Sequence, residues 1–122
     1  MESRFKGTYG TMYNVRDMKK SVSYYKDVVG LQPRFESESW TEFQLGSGAL
    51  CLHQYSEGMA DLQGKGILIT EVKDLGNLVS DLKKRGVEFF KDIHEVHPGA
   101  HSADFKDPDG NWVSLYEDTN QR

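Results

Sequence analysis

The feature that most restricts the fold is a long-period echo. Val15-Arg16-Asp17-Met18 returns 57 residues later as Val72-Lys73-Asp74-Leu75, and Gly30-Leu31 returns 56 residues later as Gly86-Val87. Similarity at a fixed long offset means one supersecondary unit used twice. The chain has 122 residues, enough for one domain but not for two independent folding units. A single domain over 1–122 is expected, with a first module at about 5–57 and a second at about 64–118.

Each echo frames a helix. In the first, Asp17 is placed to cap the free N–H groups, and Met18, Val22, Tyr25 and Val29 form one apolar stripe. In the second, Asp74 is the expected cap, Leu75, Leu78, Val79 and Leu82 form the stripe, and Lys83-Lys84-Arg85 sit where the helix dipole favours cations. Gly30 and Gly86 supply left-handed stops.

A strand pattern precedes each helix, at about 8–15 and 66–72, and three follow: about 31–38, 40–45 and 49–55, then about 87–91, 101–106 and 111–117. The order is βαβββ, twice, an α+β class. Gly46-Ser47-Gly48 has hairpin-turn chemistry, and Asp107-Pro108-Asp109-Gly110-Asn111 is turn chemistry throughout, hence structural first.

In a sheet backed by a helix, alternate residues lie beneath the helix and the others look away. Tyr13, Val15, Phe43, Leu45, Leu50, Leu52, Leu68, Val72, Ala103, Phe105, Val113 and Leu115 form the expected helix-side set. The opposite parity is mixed, with Trp40, Tyr55, Trp112 and Tyr116 beside Glu42, His53, Glu71 and Ser114. Aromatic residues mixed with polar anchors fit the wall of a curved cavity; a sheet or dimer interface is the competing account.

These residues resemble the vicinal oxygen chelate superfamily, which includes glyoxalase I, bleomycin-resistance proteins and extradiol dioxygenases. The resemblance rests on Tyr13-Asn14-Val15-Arg16-Asp17, Ser21-Val22-Ser23-Tyr24-Tyr25, Val29-Gly30-Leu31, Val72-Lys73-Asp74-Leu75 and Phe105-Lys106-Asp107-Pro108-Asp109-Gly110-Asn111, and it covers nearly the whole chain. It implies two βαβββ modules forming a curved mixed sheet around a cleft, often completed by a second subunit. It also implies that metal ligands, if the site were kept, would fall near Gly10, Cys51, Ile67 and Ser114. Glycine, isoleucine and serine are not the imidazole and carboxylate ligands such sites use, so no metal and no cofactor is expected.

Among candidate groups His53 stands first, because an imidazole titrates near neutral pH and suits proton transfer or ligand hydrogen bonding. A hairpin across 46–49 would set Leu45 against Leu50, Gln44 against Cys51, Glu42 against His53 and Trp40 against Tyr55. Glu42 would then fix the tautomer of His53 as a general base, or simply make a cross-strand charge pair. Cys51 is a nucleophile candidate or a small buried filler. His94-Glu95-Val96-His97-Pro98-Gly99-Ala100-His101 lacks the helical zinc spacing, and Pro98-Gly99 bars a helix; a loop at the cleft mouth is expected, with His101 in reach of a ligand. Trp40 and Trp112 suit stacking, and Gln44, Tyr55, Glu71, Ser114 and Tyr116 complete the candidate ligand-binding set.

The first function expected is a glyoxalase/bleomycin-resistance-like protein that binds an apolar or aromatic small molecule in the cleft without the family's metal. The alternatives are a lyase, isomerase or dioxygenase using His53 with Glu42 as base, a non-standard metal site from His53, Glu42 and Glu71, or an interaction module whose aromatic face packs on a partner. Nineteen acidic against 15 basic residues give a net charge of −4, which argues against nucleic acid. No stretch approaches the ~18 apolar residues of a membrane span, and Met1–Gly7 has no apolar run behind its charges. A cytoplasmic setting is expected from that start, Cys51 as the only cysteine forms no internal disulfide, and a homodimer is what the resemblance implies.

Overall fold

A computed structural model describes residues 9–57 and 66–119, together with Arg4. The expected outer ends of the modules at 5–8 and 64–65, and of the first strand at 8, lie outside the described residues. The first half runs β1 (Gly10–Val15), α1 (Met18–Ser23), β2 (Gln32–Glu36), β3 (Trp40–Leu45) and β4 (Gly48–Gln54). The second runs β5 (Ile67–Glu71), α2 (Leu75–Lys84), β6 (Phe89–His97), β7 (Ala100–Lys106) and β8 (Trp112–Asp118). The βαβββ order therefore occurs twice. Each half forms a four-stranded mixed sheet, ordered β1-β4-β3-β2 and β5-β8-β7-β6, in which the first strand of the module lies parallel to its last.

Local chemistry explains the helix ends. The Asp17 carboxylate accepts from Lys20 N at 3.1 Å, capping α1 as expected. Beyond Ser23 the helix widens into a π-helical stretch, Tyr24–Val29, whose Tyr25 carbonyl accepts from both Gly30 N (3.0 Å) and Leu31 N (2.8 Å). The wide turn lets the adjacent Tyr24 and Tyr25 both pack on the core. Gly30 (φ +94°) and Gly86 (φ +93°) are the left-handed stops. Asp74 does not cap α2. It is itself left-handed (φ +57°), and its carboxylate receives the Asn77 amide instead. Glu117 from β8 takes the cap's place, accepting from Asp74 N at 2.7 Å and Leu75 N at 3.2 Å, a negative group at a helix N-terminus.

The expected helix-side residues of both sheets merge with Met18, Tyr25, Leu75, Val79 and Leu82 into one apolar cluster. Tyr13, Val15, Phe43, Leu50, Leu52, Ala103 and Phe105 are at most 1% exposed. Polar anchors join the halves through this core. Tyr13 OH donates to the Trp112 carbonyl at 2.8 Å, and its ring fills the space where a side chain on Gly66 would sit. The buried Asp107 carboxylate accepts from Tyr25 OH (2.6 Å), Asn111 N (2.8 Å), Asn111 Nδ2 (3.0 Å) and Asp109 N (2.9 Å). Asp109 in turn accepts from Ser21 Oγ at 3.0 Å. The turn motif is thus the latch between modules.

The segment from His94 to His101 is strand rather than loop. β6 continues to His97, and Pro98-Gly99 makes a two-residue turn into β7 with Gly99 at φ +83°. Proline followed by a positive-φ glycine is hairpin-compatible chemistry that also forbids a helix.

Candidate functional site

The sheet faces directed away from the common core carry the candidate side chains in ordered rows. In the first half the rows across β3, β4 and β1 are Gln44–Ala49–Gly10, Glu42–Cys51–Met12 and Trp40–His53–Asn14. In the second, across β7, β8 and β5, they are Lys106–Trp112–Ile67, Asp104–Ser114–Ile69 and Ser102–Tyr116–Glu71. Both faces are open to solvent along their edge strands β1 and β5, where Met12 is 46%, Ile67 52% and Ile69 68% exposed, while Asn14, Cys51, Ser102 and Asp104 on the same faces are buried.

The β3–β4 register differs by two residues from the expected one. Gly46-Ser47 is a two-residue turn with Gly46 at φ +54°, the tight form that strand twist favours. Leu45 therefore faces Gly48, Glu42 faces Cys51, and His53 faces Trp40 rather than Glu42. Trp40 stands between the two groups, its indole N–H on Glu42 at 2.8 Å and its rings edge-on to His53 at 5.8 Å. Tyr55 does not face Trp40; it lies past the end of β4, with the Arg16 guanidinium 5.9 Å over its ring.

Glu42 is fully engaged. Tyr9 OH donates to both its oxygens at 2.8 Å, Arg34 Nε to one at 3.0 Å, and Trp40 Nε1 to the other. These donors, Trp40 foremost and Tyr9 next, hold its carboxyl below the usual range. An ionised carboxylate tied to three donors is an anchor, and it does not serve His53. Cys51 is 2% exposed and burial pushes its thiol up, with Glu42 adding to the effect. That is the environment of a filler, not a nucleophile.

In the second half Ser102 Oγ lies 3.3 Å from Asp104 Oδ1 and 3.1 Å from Ser114 Oγ, with Ser102 and Asp104 both 5% exposed. Tyr116 OH meets His97 Nε2 at 3.1 Å. Phe90 packs edge-on to Trp112 at 5.3 Å, beneath Lys106. Glu71 is on the expected face but exposed. His101 is not on it: it shares the parity of Ala103, opposite Glu117, on the helix side of β7.

Three polar atoms on these faces are buried with no hydrogen-bond partner among the described residues: Asn14 Oδ1, His53 Nδ1 and Trp112 Nε1. Asn14 is 2% exposed and sits beside His53 in register. A buried polar group without a partner costs roughly 1–3 kcal/mol, so each of these atoms calls for a partner beyond the described residues, a water or a ligand group.

The positions at which the family's metal ligands would fall do not fit a divalent ion. A β-carbon on Gly10 would run into the Ala49 carbonyl, Ile67 offers no donor atom, Ser114 Oγ is hydrogen-bonded to Ser102, and burial pushes the Cys51 thiol up, away from the thiolate a metal takes. Among the described residues no group of three or more His, Cys, Asp or Glu side chains is placed to hold a metal.

Residues that sequence reasoning passed over include Arg34, Asn14, Asp104 and His97. Asn14 and Asp104 were legible by parity alone, and so was Arg34, which follows Gln32 on the open face by plain alternation; the bulge between Pro33 and Phe35 instead brings Phe35 opposite Glu42, which no pattern announces. A groove of about 770 Å³ lies elsewhere, lined by Arg16, Lys19, Glu36, Glu38 and Gln54 near the start of α1.

Paired βαβββ modules with a shared core and two open, polar-studded sheet faces define the class. The model of the Glyoxalase/Bleomycin resistance protein/Dioxygenase superfamily matches residues 10–115, and the chain belongs to that family. It is 32% identical over 118 residues to the Bacillus subtilis (strain 168) protein YraH, described as uncharacterized, covering 84% of this chain and 91% of that one. Among solved structures, lactoylglutathione lyase from Agrobacterium tumefaciens superposes with a TM-score of 0.78 at 18% identity, covering 92% of this chain and 93% of that one. A glyoxalase/bleomycin resistance protein/dioxygenase from Nocardioides gives 0.77 at 16%, covering 100% and 89%. At these identities the likeness is one of fold. No helix among the described residues is long and apolar enough to cross a membrane.

Proposed function

We propose that this chain is a cytoplasmic small-molecule-binding protein that holds an apolar or aromatic ligand on the polar-studded sheet faces without the family's divalent metal. The observation that carries this is the set of buried, unpartnered atoms Asn14 Oδ1, His53 Nδ1 and Trp112 Nε1, all on those faces and each beside aromatic or apolar surface. A ligand with a hydrogen-bond donor at Asn14 and an acceptor at Trp112 satisfies two of them, and a further polar group at His53 Nδ1 the third, while its apolar body covers Met12, Ile67 or Ile69. The enzymatic alternative rests on His53 without Glu42, since Trp40 separates the two.

The partner that completes the site is a second copy of the chain. Half-exposed Met12, Ile67 and Ile69 on the edge strands β1 and β5 are apolar surface that a homodimer covers. Light scattering should give twice the 13.9 kDa chain mass. A thermal-shift screen of aromatic antibiotics, thiol conjugates and catechols should yield binders whose stabilisation falls at least about tenfold in apparent affinity in Asn14→Ala. A screen in which every compound leaves the melting temperature unmoved would contradict the proposal. So would binders indifferent to both Asn14→Ala and Trp112→Phe.

A further inference from the structure

The strongest feature outside the orphaned atoms is the cluster around Arg34. This residue alternates with Pro33 on β2, so its side chain lies on the same face as Gln32, Glu42 and Gln44. Three partners fix it there. Nε donates to Glu42 Oε1 at 3.0 Å, Nη1 reaches Gln44 Oε1 at 3.4 Å, and the guanidinium lies 5.5 Å over the Tyr9 ring. Glu42 is itself immobilised by Tyr9 and Trp40. The cation is the outer member of the pair, with 32% of its side chain exposed against 13% for Glu42.

An exposed ion pair contributes little to stability, yet here three side chains order one guanidinium. These contacts engage at most three of the five guanidinium N–H groups and leave at least two for a ligand. A planar guanidinium held in this way is pre-organised to take a carboxylate through its remaining N–H groups. Trp40, bonded to Glu42 and adjacent to His53, supplies an aromatic surface next to it.

We propose that Arg34 is an anion-recognition residue, selecting aromatic ligands that carry a carboxylate, with Glu42 and Tyr9 as its positioning residues. The proposal rests on the sheet face being a ligand surface, and the test separates the two. The Trp40 and Trp112 indole N–H signals of ¹⁵N-labelled protein are followed during titration with benzoate and, separately, with its neutral isostere benzamide. Benzoate should move the Trp40 signal saturably, and benzamide should bind at least about tenfold more weakly. Arg34→Gln should abolish the preference, whereas Arg34→Lys keeps the charge, loses the fork and retains part of it. Equal affinities for the two probes, or an unchanged preference in Arg34→Gln, would overturn the assignment of Arg34 while leaving the face a binding surface. Indole signals that neither compound moves would overturn both.

Discussion

Asp107→Ala should lower the unfolding free energy by about 4 kcal/mol, the largest loss expected from any single polar substitution in this chain. The Asp107 carboxylate accepts four hydrogen bonds, two from Asn111 and one each from Asp109 N and the Tyr25 hydroxyl. Asp107 and Asn111 are 5% and 0% exposed, so water cannot replace the lost acceptor without opening the core. The bond to Tyr25 joins the halves, so the damage should spread beyond the turn. Asp107→Asn keeps one acceptor oxygen and should lose about half as much, and Tyr25→Phe about 1–2 kcal/mol. Urea unfolding followed by tryptophan fluorescence measures each as a shift in midpoint at constant slope. An Asp107→Ala midpoint equal to that of the parent protein would show that the latch is not there.

Stability should also fall steeply above pH 10. Tyr25 is pushed well above the ordinary tyrosine value by burial and then by the Asp107 charge, Tyr13 is raised by the same two causes in the same order, and Tyr24 is pushed up to about 12. A tyrosine whose hydroxyl keeps its proton in the folded state binds more protons folded than unfolded once the unfolded chain begins to titrate near 10. The contribution of these groups is therefore complete below pH 10 and is lost as pH rises towards their folded values. Each fully buried hydroxyl removes about 1.4 kcal/mol per pH unit in that window. Urea midpoints at pH 8, 9, 10 and 11 should be level up to 9 and then drop. Tyr25→Phe should start lower and fall less steeply, because it has no proton to lose. Parallel profiles for the two proteins would contradict the placement of Tyr25 against Asp107.

The architecture was largely written in periodicity. The echo of Val15-Arg16-Asp17-Met18 in Val72-Lys73-Asp74-Leu75 placed both helices, and the alternation of strands separated the core from the open faces, because both signals depend on local spacing. What depends on geometry between elements was not legible. The two-residue turn at Gly46-Ser47 moved His53 opposite Trp40 and released Glu42 to Tyr9 and Arg34, a change that one slip of register produces without altering the pattern. The cap of α2 came from Glu117, which lies 43 residues away from Asp74. His101 was assigned by proximity to a motif, whereas the register puts it on the other side of the sheet. The bulge after Pro33 carries no sequence signature at all, and it brings Phe35 opposite Glu42, whereas Arg34 reaches that face by the alternation that begins at Gln32.

An organic ligand in this protein is expected to be held by side chains alone. The most direct measurement is the melting-temperature shift given by a screened binder in protein treated with EDTA and in the same protein supplied with nickel, zinc, iron or manganese. An equal shift in every condition is the predicted result. A shift that disappears with the chelator and returns with one of these ions would contradict it.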